Sequence, residues 1–461
     1  MTGGFGMSAG RLSLLAAGLT LLGSVSAQAA DLGGDCCADL EERIAELEAT
    51  TARKGNRKVK LEVSGHVNEA VLYWDDSFED NAYVVTNDAA RTRFRFKGDA
   101  KINSDFKAGY LLEVGVRGAN SKRFTQDDPT GSGTDVGFDV RHSVWYLDSK
   151  TFGRFWVGLT GGAGEGVTEI NVAGTGDVAK FSDAEDMGGG LALRQANGLY
   201  SNNSGVVLGA GGADTTITIR RLIRDSGNQA GEGRRYNMIR YDTPEIAGFV
   251  ATANWGGDDA WEIGLRYKGE FAGFKMAAGM AYGENSEAPA TGVVVGFECV
   301  ANRTTNANIG GTGKDADCNQ FGASGSIMHE ATGLYVNAAY GVLEDDLLKA
   351  RFGAATDDKH EFYALEAGIQ QKWLPIGKTT IFGQYYNADG GATDRNYTVA
   401  GRILNSELDI YSLGVMQGVD AAAMNFYAMY RHVEAEATTL NSGTLQFEDV
   451  DMFLSGAIIK F

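Results

Sequence analysis

Between Ala90 and Ile102 the chain changes character at every residue. Thr92, Phe94, Phe96, Ala100 and Ile102 fall on one side of an extended backbone, and Arg91, Arg93, Arg95, Lys97, Asp99 and Lys101 on the other, because successive side chains of a strand point to opposite faces. Cations spaced by two residues need water in front of them, since burying unpaired charge is prohibitive. The opposite face needs oil or a packed core. Two folds satisfy both demands: a soluble sheet with one wet face, or a cylinder with oil outside and water within.

The closing stretch, Asp449–Phe461, favours the cylinder. Phe453, Ala457, Ile459 and Phe461 are apolar at alternate positions, with the small Ser455 among them. About ten residues suffice for a tilted strand to cross a bilayer, so a terminal strand of this kind suggests a sheet that closes on itself. Past the leader, no window approaches the roughly 18 consecutive apolar residues of a membrane helix. A membrane location therefore requires strands. The 461 residues include 64 Gly but only 4 Pro, and Pro129, Pro244, Pro289 and Pro375 all fall between alternating segments, as a chain of fully paired strands demands. A net charge of −19 argues against wholesale nucleic-acid binding.

Alternation predicts sixteen strands: 59–74, 90–102, 104–118, 137–149, 152–160, 234–242, 247–255, 260–269, 273–283, 321–329, 332–342, 361–373, 378–388, 408–417, 423–433 and 449–461. Connections between them alternate long and short, with 256–259 the exception. Long loops on one rim and short turns on the other are the asymmetry of an outer-membrane barrel. Trp74, Trp255, Trp261 and Trp373 lie near strand ends, as interfacial girdles require. Thr215–Ile223 alternates inside the longest connection, 161–233, which leaves eighteen strands as the alternative count.

Residues 1–29 read as a signal peptide. Arg11 precedes a short apolar core, Leu12–Gly23, and Ala27-Gln28-Ala29 offers a cleavage site. Removing Arg11's charge takes the net charge from −19 to about −20. In residues 30–58, Leu40, Ile44, Leu47 and Thr51 are spaced as a coiled-coil seam that needs partners, and Arg53–Lys58 is a basic linker. The barrel occupies 59–461. Sixteen strands place both termini on the short-turn side, so the coiled coil is expected in the periplasm. Cys299 and Cys318 flank a Gly/Asn/Thr/Asp-rich run and are expected to staple a long loop in an exported protein. Cys36 and Cys37 are either inter-subunit bridges or free thiols.

These features together resemble the trimeric general porins of Gram-negative outer membranes. Arg240–Phe249 looks like their strand, Thr-Pro turn, Gly-Phe and next strand. Asp35–Ala49 followed by Val63–Glu69 is similar to the alphaproteobacterial type. The resemblance implies an all-β, closed 16-stranded antiparallel transmembrane barrel in the outer membrane, forming a homotrimer amid lipid and lipopolysaccharide. It also implies a third loop folded inward to narrow a water-filled path for small polar solutes and ions. That loop starts Gly161-Gly-Ala-Gly-Glu-Gly166 and carries Glu165, Glu169, Asp177 and Asp183, together with Glu185 and Asp186. The expected constriction sets these acids against Arg91, Arg93, Arg95, Lys97, Arg141 and Arg154. Opposed charges across a narrow waterway admit small polar solutes and penalise apolar ones.

No enzyme, metal or cofactor site stands out. His66, His142, His329, His360 and His432 show no ligand spacing, Gly311-Thr-Gly-Lys314 lacks the rest of a P-loop, and no Gly-x-Ser-x-Gly occurs. Two further functions fit the same barrel: a substrate- or anion-selective channel using the Arg91–Lys97 row as a ladder, and a structural anchor held by the coiled coil.

Overall fold

The structure, a computed structural model, describes residues 59–130, 137–201, 216–223, 229–257, 260–285, 318–345, 349, 354–390, 403–440 and 442–461. The expected signal peptide, coiled coil, Cys36, Cys37 and Cys299 lie outside them. Among the described residues no helix is long and apolar enough to cross a membrane.

Eighteen strand segments form one sheet: β1 (Lys60–Asp75), β2 (Asp80–Thr86), β3 (Arg93–Lys101), β4 (Phe106–Arg117), β5 (Gly137–Ser149), β6 (Gly153–Gly161), β7 (Arg235–Asp242), β8 (Phe249–Gly256), β9 (Trp261–Phe271), β10 (Phe274–Asn285), β11 (Cys318–His329), β12 (Leu334–Asp345), β13 (Lys359–Leu374), β14 (Gly377–Gly390), β15 (Ile403–Val419), β16 (Met424–Thr439), β17 (Gly443–Gln446) and β18 (Val450–Lys460). Every pairing between segments is antiparallel. The barrel closes between β1 and β18, where Val67 faces Ile459 and Tyr73 faces Phe453. Gly65 and Phe461 exchange backbone hydrogen bonds of 2.9 and 3.0 Å. A Cβ on Gly65 would lie 2.7 Å from the Phe461 ring, so the terminal aromatic seats on a glycine at the seam.

Eighteen segments make sixteen staves, because two staves are each broken once. β2 and β3 pair with the upper and lower halves of β1 and run in the same direction, separated by a 3-10 turn at Asp88–Ala90. β17 and β18 pair in the same way with the two ends of β16. The eighteen-strand alternative fails on its own ground as well. Within Thr215–Ile223, the residues Ile219–Ile223 form a helical turn, with the Arg221 N–H bonded to Thr218 Oγ1 at 3.3 Å.

The outward face is apolar as the alternation requires. Val63, Val67, Val71 and Tyr73 of β1, Ile263 and Leu265 of β9, and Leu413 and Val415 of β15 are exposed there. A belt of tyrosines, Tyr340, Tyr363, Tyr385, Tyr411 and Tyr430, runs across neighbouring staves, with ring centroids of 5.8 Å for Tyr363–Tyr385 and 5.3 Å for Tyr385–Tyr411. Trp255 and Trp373 join the exposed aromatics. Trp74 does not: it is buried and points inward.

The interior departs from a simple polar lining. Leu72 and Trp74 of β1, Phe362 of β13, Phe382 and Tyr386 of β14, Met429 of β16, and Met452 and Leu454 of β18 pack in one cluster with Phe181, Leu191, Leu193 and Ile219 of the third long connection. An apolar core thus fills the space between these strands and the loop. Cys318, at the start of β11, is buried and disulfide-bonded.

Candidate functional site

The connection after β6 folds inside the barrel, as expected, and its route is fixed by hydrogen bonds to inward-pointing side chains. Ala163 N–H donates to Asn254 Oδ1 at 2.7 Å, Ile170 N–H to Ser324 Oγ at 3.1 Å and Val172 N–H to Ser326 Oγ at 2.9 Å. Gln370 then donates to the Ala173 carbonyl at 2.8 Å, Asn68 to that of Asp177 at 3.2 Å, and Arg431 to those of Ala184 and Met187 at 2.5 and 3.0 Å. The loop therefore crosses from β8 to β16, and wall residues satisfy its backbone polar groups, as a buried loop requires.

The wall of β3, β4 and β5 carries a buried carboxylate that gathers guanidinium groups. Glu113 accepts from Arg95 Nε at 2.7 Å, from Arg141 Nε at 2.7 Å and from Arg93 Nη1 at 3.3 Å. Arg95 stands directly opposite Glu113 in the ladder. Arg91 pairs with Asp88 at 2.6 Å and Asp139 at 3.1 Å. The loop supplies the facing charges. Lys180 Nζ lies 2.8 Å from Glu169, 3.0 Å from Asp183 and 3.6 Å from Asp186. Lys122 pairs with Glu185 and, at 3.5 Å, with Asp186; Arg235 pairs with Glu165.

Between wall and loop lies a cleft of about 290 Å³, bordered by Arg91, Arg93, Arg141 and Arg235 on the wall and by Glu165, Glu169, Asp183, Asp186 and Glu232 on the loop, with Asp88, Lys122 and Lys180 completing it. Cations (Arg91, Arg93, Lys122, Arg141, Lys180, Arg235) and carboxyl groups (Asp88, Glu165, Glu169, Asp183, Asp186, Glu232) number six each, which leaves the cleft close to neutral if all are ionised. They are not all ionised. Burial, with Glu169 nearby, pushes the Glu232 carboxyl up to about 8. Burial and the charge of Asp183 raise Asp186 well above the carboxylate range. For Asp183, burial is outweighed by Lys180 and Lys122, which hold it low. At neutral pH the Glu232 carboxyl is largely protonated, and Asp186 holds its proton more readily than an ordinary carboxyl.

Of the residues expected here, Arg91, Arg93, Arg141, Glu165, Glu169 and Asp183 meet around this cleft. Arg95 lies beside it, held by Glu113. Three lie elsewhere. Arg154 starts β6 at the short-turn rim, bonded to Asp148 at 3.0 Å and stacked 5.0 Å from the rings of Tyr146 and Trp156. Asp177 pairs with Lys460 at the barrel seam. Lys97 is exposed, one inward position further from the cleft than Arg95. Arg154 and Lys97 share one cause: alternation fixes the face of a side chain but not its height along the barrel; Asp177 lies on the loop, where no period applies. Glu113, Lys122, Lys180, Glu232 and Arg235 were missed. Glu113 and Arg235 alternate inward on their strands and were legible in principle. The loop residues obey no period, and only the folded path brings them together.

A model of Gram-negative porins matches residues 13–447 of the chain. Among solved structures, an anion-selective porin from Comamonas acidovorans is similar at 16% identity with a TM-score of 0.53, covering 87% of this chain and 100% of that one. The trimer form of OmpT from Vibrio cholerae (12% identity, 87% of this chain and 99% of that one, TM-score 0.47) and OmpF of Salmonella typhi in complex with daunomycin (13%, 88% and 98%, TM-score 0.46) are more distant. Comparison with curated protein sequences finds no match. The barrel, the inward loop and the charged cleft define an outer-membrane channel, and the chain belongs to the Gram-negative porin family.

Proposed function

We propose that small hydrophilic solutes and ions cross by passive diffusion through the cleft between the β3–β5 wall and the third loop, with weak charge selectivity and no enzymatic step. The observation that carries this reading is the matched set of facing charges around the cleft. A transverse field of this kind orders water and polar solutes, while near-equal charge numbers prevent strong exclusion of either ion sign. The anion-selective alternative has one observation in its favour: burial favours the neutral forms of Glu232 and Asp186, which weakens the negative half of the matched set.

The protonation of Glu232 makes selectivity pH-dependent in a stated direction. Below about 8 its carboxyl is neutral, and above it the group is charged. Reversal potentials measured across a bilayer in asymmetric salt are expected to move toward cations as pH is raised from 6 to 9, by roughly the effect of one charge in a narrow pore. Glu232→Gln should flatten that step. A strong anion preference at all pH values, abolished by Arg93→Ala with Arg95→Ala, would instead establish a dedicated anion channel.

We also propose that the channel assembles as a homotrimer, with the β1–β3 face turned toward a neighbouring copy. Glu69 points outward from β1 between the exposed Val67 and Val71, and accepts from Thr86 Oγ1 at 3.0 Å and Thr92 Oγ1 at 3.0 Å. An ionisable group in lipid is costly, and a protein neighbour on this face removes that contact. Native mass spectrometry in detergent should give three chains, and Glu69→Leu should leave the fold intact while changing the stability of the assembly. A monomer at all detergent concentrations would refute this arrangement.

A further inference from the structure

On the outer surface of β16, just beyond the tyrosine belt, one histidine has the surroundings of a metal ligand. His432 and Glu434 are two residues apart and so share the outward face, and Asp449 reaches them from the break between β17 and β18. His432 Nε2 lies 3.4 Å from Glu434 Oε1 and 3.8 Å from Asp449 Oδ2, and one donor atom from each residue lies within 4.8 Å of the others. Bonds of about 2.0–2.2 Å at tetrahedral angles place the donors of a zinc site roughly 3.4 Å apart. The other ring nitrogen is already engaged: His432 Nδ1 stands 2.8 Å from Asp451 Oδ1, and Asp451 also accepts from the Tyr430 hydroxyl at 2.5 Å.

This is the arrangement by which a carboxylate orients a metal-binding imidazole: the bond to Asp451 engages Nδ1, and Nε2, 3.4 Å from Glu434, is the nitrogen that faces the two other carboxylates. A proton on Nε2 could point at one carboxylate only, whereas Glu434 and Asp449 converge on it together. Three carboxylates around a single imidazole leave a surplus of negative charge even when the ring is protonated. We propose that His432 Nε2, Glu434 and Asp449 form a divalent-metal site of the zinc type, with Asp451 and Tyr430 as positioning residues. A fourth position remains open toward the outer surface. Nitrogen together with carboxylate oxygen selects zinc-like ions over calcium and magnesium, which prefer oxygen alone. The site ties β16 to the broken stave beside it, on the outside of the barrel and away from the solute path.

The test uses the full chain folded in detergent, stripped with a chelator and titrated with ZnCl2 by calorimetry, with Co²⁺ as a spectroscopic probe. One saturable zinc per chain is expected, not displaced by millimolar Ca²⁺ or Mg²⁺, with a Co²⁺ visible band typical of four-coordination. His432→Ala should abolish that site, and Glu434→Gln should weaken it at least tenfold. Asp451→Asn should shift the Co²⁺ band as well as the affinity, by about 10–100-fold, while channel conductance stays unchanged in all three. Absence of saturable binding, or binding of equal stoichiometry in His432→Ala, would overturn the proposal. Should His432→Ala fail to fold, Glu434→Gln decides the matter, since its isosteric amide keeps the shape and removes a ligand charge.

Discussion

Glu113→Gln is expected to turn a weakly selective channel into one that strongly favours anions, and to destabilise the barrel. Glu113 is fully buried on the inner wall and is shared by Arg93, Arg95 and Arg141. An amide removes the charge and can accept on one oxygen only, so three guanidinium groups remain together with their common counter-charge gone. Breaking a buried ion pair from one side costs about 3–5 kcal/mol, because the remaining charge is left uncompensated; the lower end applies here, since Arg95 is partly exposed and reaches water. Two measurements check the expectation. Urea unfolding in detergent should show the loss of stability, and reversal potential in asymmetric salt should move toward the anion limit. Wild-type values in both would show that Glu113 is not the counter-charge of the arginine row.

The second large effect is expected from a single methyl-bearing side chain on the wall. The loop's return limb meets β11 and β12 backbone to backbone. A Cβ on Gly341 would lie 2.1 Å from the Ala230 carbonyl oxygen, and one on Gly231 would lie 2.5 Å from that of Phe321 and 2.8 Å from the Cα atoms of Gly322 and Gly341. Gly231 also adopts φ +76, a left-handed conformation suited to glycine. Gly341→Val therefore cannot coexist with the limb in place. It should push Ala230–Gly233 off the wall, carry Glu232 out of the cleft, and cost about 1–3 kcal/mol by overpacking. Single-channel conductance should rise as the constriction loses its clamp, and the pH-dependent step assigned to Glu232 should shrink with it. Unchanged conductance in a folded Gly341→Val protein would show that the limb does not bound the path.

Much of the barrel was legible because the physical demand on each strand is binary and repeats every two residues. Val67, Val71 and Tyr73 face oil while Asn68 faces inward, and no other information is needed to place that strand. Each of the sixteen expected strands has its counterpart in the barrel, but β2 and β17, which extend the second and last staves, lie where connections were expected. The interior was less legible. Leu72, Trp74, Phe382, Met429 and Met452 point inward and are apolar, because a folded loop rather than water lies against them. A strand apolar on both faces carries no sign of which face meets lipid, so Trp74 was read as a girdle residue. Thr215–Ile223 alternates like a strand, yet among its described residues only Thr218 bridges, antiparallel to Ala192 of the same loop, and Ile219–Ile223 closes into a helical turn. Around the cleft, the wall arginines were visible as a row, but height along the barrel was not. That is why Arg154 and Lys97 were grouped with Arg93, and why Lys180 and Glu232, on a loop without period, went unnoticed. His432 seemed isolated for a related reason: its partners come from the next position on the same face and from the following stave.

The central claim is that solute passes through the charged cleft and not through the apolar cluster. Substituted-cysteine modification in a planar bilayer tests it most directly. Glu169 lines the cleft, whereas Met452 is buried in the apolar cluster between the loop and β18. With a charged, thiol-specific reagent added to open channels, Glu169→Cys should lose most of its current within the labelling time. Met452→Cys and the unmodified chain should keep theirs. Current that persists through a demonstrably labelled Glu169→Cys, or that is blocked through Met452→Cys, would contradict the account.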